Sequence, residues 1–217
     1  MTWVEVIGWS ATAVGAMLGF PQLFRLVRTR NVEGLSLFAW RAVLVLNVIW
    51  FAHGLRIGQA PQIVTNSIAV ASTVPLLVLL ARSTGRSLVS VVTPSLIAAA
   101  AIIAVDVTLG SLAFGIVAVI PGLMSNAGQS VELVRARRVD GVAPLFLALA
   151  WVNQCLWLTW ALLVHDPGTV VACAITLSIT TFNLFWFVLR RCGLRALFVR
   201  ASDELVVPAV EPALARA

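Results

Sequence analysis

The chain has 217 residues, of which 60% are hydrophobic and 11% are charged, and its formal net charge at pH 7 is +6. A water-soluble domain of this length has too little interior to bury that much apolar surface, so the composition excludes an ordinary soluble fold and favours a membrane protein. The 15 basic residues are all arginines in short clusters between apolar runs, a pattern typical of membrane topology signals rather than of a nucleic-acid interface.

Seven apolar stretches follow one another along the chain, each close to the ~20 residues that cross a bilayer core. They are predicted as helices at 3–24, 36–56, 61–81, 87–109, 111–134, 142–164 and 168–189. The first lacks a basic leader segment, so we expect a retained helix rather than a cleaved signal peptide. The charged, proline-containing residues 192–217 are expected to form a disordered cytoplasmic tail.

The placement of the arginines predicts the orientation of the chain. Clusters follow the first, third, fifth and seventh stretches, whereas the connections on the opposite side hold only Arg56. Because basic connections stay in the cytoplasm, the N-terminus is expected outside and the C-terminus in the cytoplasm. The sequence therefore predicts a multi-pass protein of the cell membrane.

A repeat with a period of 107 residues divides the chain in two. The segment QLFRLVRTRNVEG (22–34) aligns with QSVELVRARRVDG (129–141) at seven identical positions. Two three-helix units with the same orientation need an odd number of helices between them, and the fourth stretch supplies one. We therefore predict an all-α membrane protein of 3+1+3 helices: a first bundle at 1–86, an inverting linker helix at 87–109, and a second, parallel bundle at 110–191.

Two aromatic–polar pairs with one spacing mark the two units. Trp50 precedes Asn66 by 16 residues, and Trp157 precedes Cys173 by the same number. The turns predicted near residues 58 and 165 fall midway between the members of each pair. Each pair is therefore expected to lie at one depth on two antiparallel helices.

Asn47 and Gln154 each precede one of these tryptophans by three residues and so share its helix face. Amide and indole groups are costly to expose to lipid, so this layer should face a cavity or a neighbouring helix. In a cavity, the rings would stack on C–H surfaces and the amides would serve hydroxyls. The pattern favours a sugar-sized pocket formed by Asn47, Trp50, Asn66, Gln154, Trp157 and Cys173; polar groups that merely join helices are the alternative.

The Pro21-Gln22 pair, the basic connection after it and the parallel triple-helix repeats resemble the SWEET sugar transporters and the wider PQ-loop (MtN3/saliva) group. The resemblance implies a facilitative uniporter of mono- or disaccharides that works by alternating access, without a cofactor. It also implies that the first helix of each unit bends, at Pro21 and Gln22 and at Gln129. Cys173 departs from the family pattern, which has Asn at that position. Association of several chains into a homo-oligomer stays an open alternative.

Two alternatives stay open beside sugar transport. The departure at Cys173 is compatible with a non-transporting PQ-loop protein, such as a receptor or an assembly factor. A proton-coupled amino-acid carrier of the same group would need a membrane-embedded carboxylate, and Asp106 is the only acid well inside a predicted span. No catalytic motif occurs in the chain, so we expect no enzyme.

His53 and His165 are predicted near the outer face with no acidic residues beside them. On that basis we expect no metal site. As peripheral groups they should leave transport nearly independent of pH between about 5.5 and 7.5, the interval around the usual titration of histidine.

Overall fold

In a computed structural model of the chain, seven α-helices make up most of the residues that the structure describes, which are 2–29, 35–136, 139 and 142–198. The helices are α1 (Trp3–Thr29), α2 (Leu37–Ile57), α3 (Ala60–Ser83), α4 (Leu88–Leu109), α5 (Ser111–Arg135), α6 (Pro144–Val164) and α7 (Pro167–Arg191). Within those ranges there is no β-strand. The predicted all-α fold of 3+1+3 helices is confirmed.

Five of these helices have the length and the hydropathy of a membrane span, namely α2, α3, α4, α6 and α7. α5 makes a sixth if its segments Ser111–Met124 and Gly128–Arg135, whose axes differ by 52°, form one bent span. α1 is not among them, although its 27 residues exceed the ~20 that a bilayer core requires.

Local sequence sets where the helices begin and end. The Ser36 side chain accepts a hydrogen bond from the Ala39 backbone N–H and caps α2, which ends at Gly58 in the left-handed conformation (φ 68°). The other six helices also start and stop close to the predicted bounds, except that α1 ends at Thr29 rather than at residue 24. The prediction of turns near residues 58 and 165 therefore places the helix ends well.

The third helix of each unit lies between the other two. α3 packs on α1 and α2, and α7 packs on α5 and α6, whereas in the described ranges α1 does not touch α2 and α5 does not touch α6. The units meet through α1 with α6 and through α2 with α5, which are equivalent contacts under the 107-residue repeat. The linker helix α4 packs on α2, α3 and α5.

Two glycines that occupy equivalent positions in the repeat let helices approach closely. A Cβ on Gly115 of α5 would overlap the backbone of Gly168 at the start of α7. A Cβ on Gly8 of α1 would lie 2.7 Å from Nε1 of Trp160 on α6 and 2.8 Å from Cγ of Pro61 on α3. Small residues at such contacts are typical of membrane helix packing.

The α2–α3, α4–α5 and α6–α7 turns lie at one end of the bundle, which we call the Arg-poor end. The opposite end, where α1, α3, α5 and α7 finish, is the Arg-rich end.

Candidate functional site

A cavity of about 250 Å³ lies between α2, α3, α5, α6 and α7. All six residues predicted to bind substrate line it: Asn47, Trp50, Asn66, Gln154, Trp157 and Cys173. The structure thus brings together side chains from both units around one space, at the level that their spacing predicts. Their role in binding stays a prediction.

Hydrogen bonds within the protein fix how the amides of the first unit are presented. Asn66 donates from Nδ2 to the backbone oxygen of Gln62 at 2.8 Å, which leaves its Oδ1 as an acceptor. Asn47 donates from Nδ2 to the Thr73 hydroxyl at 3.4 Å. Trp50 packs edge-on against Phe114 of α5 with ring centroids 5.0 Å apart. This layer is therefore oriented by neighbouring helices.

Further polar residues that the sequence analysis missed also line the cavity. Gln62 Oε1 and Asn153 Oδ1 are buried and have no hydrogen-bond partner among the described residues. The hydroxyl of Thr176 donates to the Ala172 backbone at 2.9 Å and can therefore only accept from the cavity. Asn153 lies four residues before Trp157, and Gln62 lies four residues before Asn66, so helix periodicity could have indicated both.

Two adjoining cavities, of about 190 and 340 Å³, extend from this one toward the Arg-rich end. Asn153 lines all three, and Asn183 and Gln129 line the smaller of the two. None of the described residues that line the three cavities is charged. The uncharged polar surface thus continues from the tryptophan layer into the Arg-rich half.

The predicted hinge positions are described only in part. Gln129 faces the smaller adjoining cavity and follows the break between Met124 and Gly128, where α5 bends by 52°. The backbone of α1 is helical at Pro21 and Gln22, whose side chains lie outside what the structure describes. The hinge role of all three stays a prediction.

At the Arg-poor side of the tryptophan layer lies a set of four charged residues that we call the charged cluster: His53, Arg56, Asp106 and Asp166. His53 is 0% exposed, and its ring lies between two carboxylates. Its Nδ1 is 2.8 Å from Oδ2 of Asp106, and its Nε2 is 2.9 Å from Oδ2 of Asp166. The Arg56 guanidinium contacts both carboxylate oxygens of Asp106, with Nε 2.8 Å from Oδ2 and Nη2 2.7 Å from Oδ1.

The premise that no acidic residue lies beside the histidines is wrong for His53, so the expectation of pH-independent transport, which treated His53 as an isolated peripheral group, loses its support at this residue. The two aspartates are 53 and 113 residues away along the chain, so only the fold brings them to α2. The ring separates the carboxylates instead of converging with them on one point, and in the described ranges no three His, Cys, Asp or Glu side chains could hold a metal ion. His165 lies exposed at the end of α6.

Asp166 ties the charged cluster to the second unit. It caps α7 by accepting from the Thr169 backbone N–H at 2.9 Å, and it accepts a hydrogen bond from the Ser111 hydroxyl at the start of α5. Burial raises the pKa of Asp166, but hydrogen bonds from His53, Ser111 and Thr169 outweigh burial and hold the pKa below its ordinary value. The cluster thus joins α2, α4, α5 and α7 just beyond Trp50 and Thr169.

Comparison with known proteins bears on the family. Residues 3–53 match the family model described as the PQ loop repeat. The "Sugar transporter SemiSWEET" of Bradyrhizobium diazoefficiens is 25% identical over 67 residues, which are 31% of this chain and 78% of that protein.

The fold matches the 3.7 Å resolution structure of a eukaryotic SWEET transporter with a TM-score of 0.69. The match covers 88% of this chain and 100% of that one at 12% identity, so it bears on the fold alone. The repeat, the 3+1+3 helices and these likenesses together support the resemblance of the chain to the SWEET and PQ-loop family.

Proposed function

We propose that the chain is a facilitative transporter that carries a mono- or disaccharide through the tryptophan-lined cavity by alternating access between its two three-helix units. The observation that carries this proposal is the chemistry of the cavity lining, which is uncharged and rich in hydrogen-bond acceptors between two indole rings. The name of the curated relative supports the same substrate class.

The acceptors in the cavity suit a ligand that carries many hydroxyl groups. A buried acceptor left unpaired costs about 1–3 kcal/mol, and a sugar hydroxyl could donate to Asn66 Oδ1, which the hydrogen bond from its own Nδ2 leaves available as an acceptor. The faces of Trp50 and Trp157 offer apolar surface for the C–H side of a sugar ring. A cavity that binds a sugar would satisfy both features at once.

The same chemistry disfavours an amino acid as substrate. A free amino acid carries an ammonium and a carboxylate, and each would need an opposite charge or several hydrogen bonds when removed from water. No described residue that lines the cavity supplies such a charge. We therefore propose the neutral sugar over the proton-coupled amino-acid carrier.

The unpaired amide oxygens also disfavour a purely structural role for the polar layer. Polar side chains that only join helices pair with each other or with the backbone. Gln62 and Asn153 each keep a buried oxygen without a partner among the described residues, and both oxygens belong to cavity-lining side chains. This supports a transporter over a non-transporting PQ-loop protein.

Uptake into proteoliposomes tests the proposal. With labelled glucose, sucrose and neutral amino acids supplied separately, we expect a sugar to equilibrate across the membrane and no sugar to accumulate against its gradient. Trp157→Ala should abolish most of this uptake, whereas Trp151→Ala, on the same helix but outside the cavity, should not. Uptake of amino acids alone, or of nothing, would contradict a sugar transporter.

A further inference from the structure

The charged cluster holds a proton in the arrangement described above. Carboxylate oxygens only accept hydrogen bonds, and both ring nitrogens of His53 lie within 2.9 Å of one. Both nitrogens therefore donate, which requires the ring to be an imidazolium. Two aspartates, one imidazolium and one guanidinium then sum to zero charge, whereas a neutral ring would leave one buried net charge and place two acceptors against each other.

The groups that face the ring come from each helix that packs around it. Its own helix supplies Arg56, α4 supplies Asp106, and the α6–α7 turn supplies Asp166. α5 supplies the uncharged ring of Phe114, which stacks on the imidazole with centroids 4.5 Å apart. α7 supplies Thr169 and, one turn further on, Cys173, both of which line the cavity.

Separation of the two units at the Arg-poor end would break this cluster. His53 and Arg56 belong to the first unit and Asp106 to the linker helix, whereas Asp166 and its partner Ser111 belong to the second unit. Water would then reach the ring, and an imidazole in water loses its proton near pH 6.5. Opening at this end is therefore linked to proton release.

We propose that the charged cluster is a proton-binding site, which takes up one proton when the Arg-poor end of the transporter closes and releases it when that end opens. This inference rests on the proposed transport function. Because the ring is 0% exposed and lies on the Arg-poor side of the tryptophan layer, opening at that end returns the proton to the side from which it came. External pH then changes the rate of transport but not the final distribution of substrate.

The linkage between proton binding and closure sets the direction and the size of the effect of pH on the ratio of closed to open molecules. The closed cluster holds one proton on the ring between two carboxylates, and the opened cluster lacks both of these partners. For one proton, the ratio of closed to open molecules falls by up to about tenfold per pH unit. Acid on the Arg-poor side therefore favours the closed state, and alkali favours the open state.

The equivalent place in the other half of the molecule carries no titratable group. Trp160 follows His53 by 107 residues, is also 0% exposed, and packs on Gly8 of α1. The contact between α1 and α6 thus holds an indole where the contact between α2 and α5 holds an imidazolium. Of these two equivalent residues only His53 has a titratable side chain, so the response should disappear with His53→Gln.

Transport in proteoliposomes of known orientation tests whether pH on the Arg-poor side changes the rate of sugar uptake. With pH 7 fixed on the Arg-rich side, we expect the rate of sugar uptake to change several-fold as pH on the Arg-poor side goes from about 6.5 to 8. His165→Gln, which removes the exposed histidine at the same end, should keep this profile, and His53→Gln should flatten it. A flat wild-type profile, an unchanged profile in His53→Gln, or sugar accumulation driven by the pH gradient overturns the proposal.

A spectroscopic measurement covers the case in which His53→Gln does not fold. The chain has two histidines, so His165→Gln labelled with ¹⁵N-histidine reports on His53 alone. In nanodiscs at pH 7.5 we expect both ring nitrogens to carry a proton, and a ring with one unprotonated nitrogen overturns the proposal. This measurement needs no substrate, so it remains decisive if the wild type carries no sugar and the proposed function fails.

Discussion

Cys173 stands in the second unit where Asn66 stands in the first, and both line the cavity. Asn66 offers an oxygen that is held in place by its own bond to Gln62, whereas a thiol is a weak donor and acceptor. On the neighbouring helix the asymmetry is reversed, because Asn153 corresponds to Leu46 under the repeat. The polar groups of the second unit are thus shifted from α7 to α6.

Asn66→Ala is expected to weaken sugar binding, because a ligand hydroxyl loses its partner in a buried site. The loss of about 1–3 kcal/mol corresponds to about 5- to 150-fold in affinity, measured as a rise in KM or by calorimetry. Ser67→Ala, at the next position but outside the cavity, is the matched control. Cys173→Asn should be tolerated; full activity in Asn66→Ala would remove this residue from the site.

The residues of the cavity were largely predictable, and those of the charged cluster were not. The spacing of 16 between Trp50 and Asn66 places both beside one turn, and that turn is local in sequence. The partners of His53 come from α4 and from the α6–α7 turn, so their approach depends on how whole helices pack. Only tertiary structure could therefore show that this histidine is buried between two carboxylates.

At the scale of helices, the contact between α5 and α7 depends on the absence of side chains. Gly115 and Gly168 meet backbone to backbone beside Asp166, and Ser111 also contacts Gly168 there. The sequence repeat predicts that α5 and α7 belong to one unit, but it carries no information on which glycines meet. The boundaries of that unit at residues 110 and 191 remain our proposal.

Gly115→Ala should destabilise the protein by about 1–3 kcal/mol, because the added methyl group overlaps backbone that cannot move without separating two helices. Gly122→Ala, on the same helix, is the control: among the described residues its Cβ would meet Leu46 Cδ1 at an ordinary 3.7 Å. Alanine also favours a helix over glycine by up to about 1 kcal/mol, so this control should be neutral or stabilising. Thermal unfolding in detergent measures both, and equal unfolding temperatures would contradict the close contact.

At the scale of the whole molecule, two features were sufficient to predict the order of the helices. They are the placement of the arginine clusters and the odd number of helices that must separate two units of the same orientation. Two units with the same orientation require an intervening helix, and α4 occupies that place between α3 and α5. How the units face each other could not be predicted, since apolar helix faces can pack on lipid as well as on protein. The contacts of α1 with α6 and of α2 with α5 are properties of the folded bundle.

The orientation in the membrane is testable with reporters. We expect tags at Met1 and in the 58–60 turn to be accessible from outside, and tags at residue 84 and the C-terminus to be accessible from the cytoplasm, because the arginine clusters stay inside. Accessibility to an impermeant label in intact cells measures this. Met1 and the C-terminus on the same side would contradict seven spans.

The linker helix α4 has no counterpart under the 107-residue repeat, whereas the two three-helix units that it joins are related by that repeat. It touches α2, α3 and α5 and brings Asp106 to one of two equivalent contacts, so the internal symmetry of the protein is broken by its own connector. A transporter assembled from two identical triple-helix chains would have to carry a buried histidine at both contacts or at neither. A single chain has no such constraint, so the contact of α1 with α6 can be aromatic while the contact of α2 with α5 is ionic.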